Sequence, residues 1–254
     1  MFFDTHAHYD DERYDGDRDA LLSAMPEQGV SLILNAGSSV EASRRGLALA
    51  EKYPFVYAAV GVHPHDSSDM DDGSIPEMRE LLKNKKAVAV GEIGLDYHYD
   101  LSPRDVQRAR FREQLELASE LKKPVIIHER EAFSDVVDIL EAHRSGVIGV
   151  FHCFSGDWAA AKRILDMGWM LSFTGVITFK SARAALETAV RVPADRIMLE
   201  TDAPYLSPEP VRGGRNDSRN LLHIARRLAS SRGVTVEELA ETTLNNGKKF
   251  FGIG

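Results

Sequence analysis

The feature that most constrains the fold is an alternation kept along the whole chain: short apolar runs, each followed by a longer amphipathic stretch. The runs fall at 2–4, 32–36, 56–62, 87–93, 125–128, 149–154, 169–173 and 197–201, and they are rich in Val, Ile, Leu and Phe. Nearly continuous apolar runs of this length suit parallel strands buried on both faces by covering helices. Between them the pattern predicts helices near 17–28, 39–52, 75–84, 103–121, 132–143, 159–167 and 181–190, then 218–232 and 235–250. Start signals support several of these. Ser102-Pro103 puts Pro at a first helical position, and Thr235-Val236-Glu237-Glu238 is a capping-box pattern. Phe111, Leu115 and Ala118 form an inward stripe on the fourth helix. Eight strand–helix units in 254 residues match a TIM barrel. The predicted architecture is therefore a (β/α)8 barrel spanning residues 1–254 as one domain. An open doubly wound sheet is the runner-up, but Asn35-Ala36-Gly37-Ser38-Ser39 lacks the G-x-G-x-x-G of a dinucleotide fold. The acidic tract at 66–73 reads as a solvated loop.

Charge and cysteine usage exclude some classes of function. With 31 basic against 39 acidic residues, the net charge of −8 argues against coating nucleic acid through the whole surface. It leaves room for a nuclease, because bound divalent ions and a few local cations can make one face attractive to phosphate. No apolar run approaches the ~20 residues of a membrane span, and the first residues lack the basic and apolar regions of a secretory signal. Cys153 is the one cysteine, so no internal disulfide forms. A cytoplasmic location is expected.

In a barrel, chemistry sits where strands end at the carboxyl face. Here those ends are polar in a coordinated way. The first strand ends in His6-Ala7-His8, the third in His63-Pro64-His65, the fourth in Gly91-Glu92-Ile93-Gly94-Leu95-Asp96, and the fifth in His128-Glu129-Arg130. The sixth ends in His152-Cys153-Phe154 and the eighth in Glu200-Thr201-Asp202. Strand alternation places His6 with His8, and Glu200 with Asp202. A single histidine at a strand end is ordinarily a rim or core residue; six such ends at one level point to a metal site. Imidazoles with carboxylates suit Zn²⁺, Mn²⁺ or Mg²⁺, and one carboxylate among several histidines suits a bridge between two ions.

These residues carry a family resemblance. Asp4-Thr5-His6-Ala7-His8, Gly61-Val62-His63-Pro64-His65, Gly91-Glu92-Ile93-Gly94-Leu95-Asp96-Tyr97, Pro124-Val125-Ile126-Ile127-His128, Phe151-His152-Cys153-Phe154-Ser155-Gly156 and Glu200-Thr201-Asp202-Ala203-Pro204-Tyr205-Leu206 run from end to end. Together they resemble the TatD family of metal-dependent deoxyribonucleases in the amidohydrolase superfamily. The resemblance implies two divalent ions (Mg, Zn or Mn), one held by His6 and His8 with Asp202, the other by His128 and His152, and Glu92 bridging them. It implies that Asp202 and Glu92 are catalytic, with Asp202 taking a proton from the attacking water. His63 is expected on the substrate phosphate, with His65, Arg130 and Arg212 also contacting substrate. The implied substrate is DNA, as single strands or ends, with no membrane and no obligate protein partner. Two departures concern substrate preference: Val211 stands where the family has His, and Asn216-Asp217-Ser218 stands where it has Asn-Glu-Pro.

Other polar residues read more simply. Alternation sends Cys153 toward the helices as a structural thiol. His143 and His223 are expected at helix surfaces, Glu200 behind a metal ligand, and Asp96 on the substrate rim. His98 is left unassigned, and Arg215 is a loop residue. Two further functional readings stand beside the nuclease. One is a hydrolase of another ester or amide bond, such as an aminoacyl-tRNA deacylase. The other is a binding or scaffold protein without catalysis, against which the complete ligand set speaks.

Overall fold

The structure, a computed structural model, describes residues 1–143 and 146–254. Eight parallel strands follow one another in space in the order of the sequence. They are β1 (Phe2–Ala7), β2 (Val30–Ala36), β3 (Val56–Val60), β4 (Ala87–Asp96), β5 (Val125–Arg130), β6 (Gly149–Phe151), β7 (Met170–Phe173) and β8 (Ile197–Leu199). The ring closes just past β8. There Ala7 bridges Ala203, the Asp202 N–H donates to the His6 carbonyl at 2.9 Å, and the His8 N–H donates to the Ala203 carbonyl at 2.7 Å. Sequential order with closure is a (β/α)8 TIM barrel and excludes the doubly wound alternative.

Around the ring lie α1 (Arg18–Ala24), α2 (Val40–Lys52), α3 (Ser74–Leu81), α4 (Arg104–Leu121), α5 (Phe133–Ala142), α6 (Trp158–Asp166), α7 (Arg183–Arg191), α8 (Leu221–Arg232) and α9 (Val236–Phe251). Each predicted strand and helix has its counterpart, and the differences lie at the ends. β4 and β5 run on because Gly94, Leu95 and Asp96 stay paired with His128, Glu129 and Arg130. β6 and β8 stop early, which leaves His152 and Asp202 in the loops that follow. Pro103 caps α4 one residue before the helix starts, and the capping box at Thr235 and Glu238 forms as expected. The acidic tract departs from a solvated loop. Pro64–Asp69 is a 3-10 helix, and Ser67 and Met70 are buried, because Met70 packs into the core. Among the described residues, no helix is long and apolar enough to cross a membrane.

The core has two parts. The larger fills the space between strands and helices. The smaller draws on every strand (Phe3, Leu34, Ala59, Val88 with Ala89, Ile126, Val150, Met170 and Met198) together with Phe251 and Ile253 at the end of the chain. It fills the lower barrel, and α9 closes that end, with the Phe251 ring 5.9 Å from that of Phe3. Above this apolar floor, Asp4 ties β1 to the chain after β8. Its carboxylate accepts the Thr201 N–H at 2.9 Å, the Thr201 hydroxyl at 2.6 Å and the Ser218 hydroxyl at 2.6 Å. The floor leaves the opposite mouth as the polar end.

Candidate metal centre at the barrel mouth

Glu92 stands at the centre of the mouth, 3% exposed. Regular alternation would not put it there. Val90 packs in the core between strands and helices, so a residue two places on would face the helices as well. A register irregularity between Val90 and Ile93 turns Glu92 inward. Glycine allows the close approach this needs. A Cβ on Gly61 would lie 2.6 Å from the Gly91 backbone, and Gly94, at φ +146°, would press its Cβ 2.0 Å from the His128 carbonyl oxygen.

The two oxygens of Glu92 face different partners. Oε2 lies 3.2 Å from His6 Nε2 and 3.8 Å from His8 Nε2. The same two nitrogens lie 3.8 and 3.4 Å from Asp202 Oδ1. Oε1 lies 2.7 Å from His128 Nδ1 and 2.7 Å from His152 Nε2. All six expected ligands therefore converge. Three overlapping groups (His6, His152 and Asp202; His6, His8 and Glu92; His63, Glu92 and His128) have ligand atoms within 4.8 Å of one another.

Hydrogen bonds on the outer side of the rings decide which nitrogen faces inward. His8 Nδ1–H donates to the Ala36 carbonyl at 3.0 Å, which leaves the Nε2 lone pair facing the cluster. His128 Nε2–H donates to Asp96 Oδ2 at 3.0 Å, which leaves Nδ1 inward. His152 Nδ1 stands 3.4 Å from Glu200 Oε1, which leaves Nε2 inward. His6 is buried and stacks on His152 with ring centroids 4.0 Å apart. Inward lone pairs consequently face one another, at 3.2 Å between His6 and His8 and 3.4 Å between His128 and His152. Such an arrangement is stable only with a proton or cation between the nitrogens, so the donor set fits divalent metal ions.

His63 is built the other way round. Its Nδ1 accepts the His65 backbone N–H at 3.1 Å, so the neutral ring carries its proton on Nε2, 3.7 Å from Glu92 Oε1. It points a donor into the mouth rather than a lone pair. Burial, with the field of His128, holds its pKa well below the usual histidine value, so it is neutral.

The carboxylates stay ionised. Burial alone would push Glu92 up, but the imidazoles of His152, His6 and His63 and the hydrogen bond from His128 hold it well below the usual range. Burial likewise opposes ionisation of Asp202, and its bond to His8 with the charges of His152 and His6 outweighs that. Against burial, which favours the neutral ring, Asp202 and Glu92 raise His8 to about 9. Ionised carboxylates and the imidazoles that face them thus balance one another at the mouth.

Several expectations change. Asp96 does not lie on a rim. It is fully buried, and one oxygen accepts from both His65 Nε2, at 2.9 Å, and His128 Nε2. Its place in the Gly91–Tyr97 motif was the available signal. Cys153 is not placed by alternation, because β6 ends at Phe151; at φ +47° its N–H turns to Glu200 Oε1 at 2.6 Å and its Sγ lies 3.3 Å from Thr174 Oγ1. Burial pushes the thiol up to about 12, so it is no nucleophile. Glu200 sits behind His152 as expected. Asn216 and Ser218 are buried braces, with Asn216 Nδ2 donating to the Thr201 and Tyr205 carbonyls at 2.9 and 2.6 Å. Asp217 caps the following turn, accepting the Arg219 N–H and pairing with the Arg219 guanidinium. Arg215 pairs with Asp17. His98 pairs with Glu131, 2.7 Å away. His223 is half-buried in a groove between Phe179, Lys180 and Arg227, and His143 is half-buried with a buried Nε2. Of the residues expected on substrate, His63 and His65 line the mouth. Arg130 is exposed at the end of β5 over the Tyr99 ring, and Arg212, also exposed, lies over the Phe179 ring.

The same chain-wide pattern occurs in known proteins. The model of the family described as TatD related DNase matches residues 3–252. The chain is 41% identical to the uncharacterized metal-dependent hydrolase YabD of Bacillus subtilis, covering 100% of both. It is 35% identical to the 3'-5' ssDNA/RNA exonuclease TatD of Cronobacter sakazakii, covering 98% of this chain and 97% of that one. Among solved structures, the TatD homolog YjjV of Escherichia coli superposes with a TM-score of 0.93 at 32% identity, over 100% of this chain and 98% of that one.

Proposed function

The chain belongs to the TatD-related DNase family of metal-dependent hydrolases, and we propose that it hydrolyses phosphodiester bonds of single-stranded DNA at strand ends. We assign His6, His8, Glu92, His128, His152 and Asp202 to two divalent ions. The observation that carries this reading is the division of Glu92, whose two oxygens each face a separate set of imidazoles. Imidazole-rich donors suit Zn better than Mg or Mn.

When bound, such ions supply Lewis acidity, which lowers the pKa of water from 15.7 toward about 7 and offsets charge on a phosphoryl oxygen. The rest falls to the chain. Glu92 and Asp202 remain ionised at neutral pH and offset the positive charge gathered at the mouth. Asp202, 15% exposed at its side chain, is the carboxylate open to incoming water, and its Oδ atoms orient that water and take its proton. His63 offers its Nε2–H to a phosphoryl oxygen, and its neutrality lets it donate without competing for a ligand position. Asp96 holds His128 by its outer nitrogen and so sets the direction of the inner one, and the Glu200 carboxylate stands 3.4 Å from the outer nitrogen of His152, where it favours a proton on that side.

The test is turnover of end-labelled single-stranded DNA by purified protein supplied separately with Zn²⁺, Mn²⁺ or Mg²⁺, beside an aminoacyl ester. Release of mononucleotides is expected. Cleavage of the ester with no phosphodiester cleavage under any ion would overturn the reading.

A further inference from the structure

Two exposed tyrosines flank the mouth, and an arginine covers each. Tyr99, 54% exposed, follows β4, and Tyr205, 41% exposed, follows β8. In a closed ring of eight sequential strands those positions are half a turn apart. They are the large aromatic side chains left most exposed among the described residues. Tyr99 lies edge-on to His65, with centroids 5.4 Å apart, on the side of Glu92 Oε1. Tyr205 lies edge-on to His8 at 6.2 Å, on the side of Glu92 Oε2. The Arg130 guanidinium sits 4.7 Å from the Tyr99 ring centre, and that of Arg13 sits 4.5 Å from the Tyr205 ring centre.

Burying a tyrosine ring normally stabilises a fold, so two rings left in solvent beside a polar mouth contribute little to folding. The Tyr205 hydroxyl donates to Asp11 Oδ2 at 3.2 Å, which holds the ring in place without covering it. Aromatic rings and guanidinium planes are the surfaces on which unpaired bases stack, whatever the base.

We propose that the Tyr99–Arg130 and Tyr205–Arg13 pairs are two base-stacking platforms, holding the nucleotides on either side of the phosphodiester placed over Glu92. The proposal rests on the nuclease reading and narrows it. The substrate is an unpaired strand with a base on each side of the bond, because a base paired within a duplex cannot lie on either ring. The two arginines differ. Arg13 Nε lies 3.7 Å from Asp11 Oδ1, so much of its charge is already matched and it serves chiefly as a stacking plane. Arg130 forms no ion pair among the described residues and is free to meet a backbone phosphate as well.

The test compares Tyr99→Leu, Tyr205→Leu and the wild type on a trinucleotide and on bis(p-nitrophenyl) phosphate, a diester without bases. The readout is the ratio of the two kcat/KM values. Each substitution is expected to lower that ratio by roughly tenfold, the scale of one base stacked on an aromatic ring. Wild-type protein should show a similar drop when one flanking base is replaced by an abasic site, and the matching Leu variant should not respond further. Wild-type ratios in both variants, or a loss in only one of them, would overturn the two-sided platform. Wild-type hydrolysis of the small diester with no turnover of any oligonucleotide would overturn the nuclease reading itself.

Discussion

The proposed mechanism gives Asp202 two roles that a substitution can separate. Its carboxylate faces His8 and His6, and its backbone sits at φ +56°, in the left-handed region. Asparagine tolerates that backbone about as well as aspartate and keeps one ligating oxygen, but it cannot take a proton as a carboxylate does. Asp202→Asn should therefore fold normally and keep at least the ion near His128, His152 and Glu92. Its turnover should fall by roughly 10²-fold or more, the scale of a lost general base. Turnover and metal content, measured together at saturating metal, decide the point; near-wild-type turnover would mean that another group takes the proton. Asp96 makes the complementary case, since its oxygens are taken up by His128, His65 and the His98 and Tyr99 backbone N–H groups, and it acts through the two rings. Asp96→Asn removes the charge that keeps the His128 proton on Nε2. We expect metal affinity to fall about 10–100-fold, with most turnover recovered by excess metal. An unchanged metal titration would show that His128 is oriented without it.

Among the elements, the segment between β8 and α8 departs most from its expected role. Ser218 stands where the family has proline, and the structure uses both groups that proline lacks. The Ser218 N–H donates to the Tyr9 hydroxyl at 2.9 Å, and its own hydroxyl donates to Asp4 at 2.6 Å. All three residues are buried, so a lost partner is not replaced by water. Ser218→Ala should destabilise the protein by about 1–3 kcal/mol, which at about 2–4 °C per kcal/mol for a chain of this size is visible in a melting curve. The exposed capping box of α9 gives a comparison at the far end of the barrel. Thr235→Ala should cost about 1 kcal/mol and leave turnover as it was. If Ser218→Ala melts like wild type, the Asp4 network does not hold β1 to the closing segment.

At the scale of the whole molecule, the proposed ligands come from β1, β4, β5 and the chain following β1, β6 and β8, so ions bound at the mouth would cross-link both sides of the ring. Binding that favours only the folded state adds stability by mass action, about 2.7 kcal/mol at a hundredfold excess over Kd. The melting temperature should therefore rise with added Zn²⁺ or Mn²⁺, and chelation with EDTA should reverse it and abolish turnover. His6→Ala combined with His8→Ala should lose much of that rise. Identical melting curves with and without ions, or full turnover in excess chelator with no metal by elemental analysis, would refute the metal centre.

Strand count and the polar character of the strand ends were legible in the sequence because each is encoded locally, whereas the spatial order of the strands was settled only by closure of the ring. Apolar runs of strand length, amphipathic stretches and polar strand ends are read within a few residues. Tertiary structure decided how those residues point and what holds them. Glu92 faces inward only because pairing with β5 shifts register between Val90 and Ile93, which local alternation does not contain. The contrast between His63 and the histidines that turn a lone pair inward rests on which ring nitrogen is already occupied. For His128 that partner, Asp96, lies 32 residues away, and for His65 the same carboxylate lies 31 residues away. The facing of Tyr99 and Tyr205 likewise needs the ring to close, because half a turn around a barrel is a relation between strands and not between neighbours in the chain. Periodicity fixes which residues a strand can offer, and only the non-local hydrogen bonds of the folded chain fix their direction and protonation.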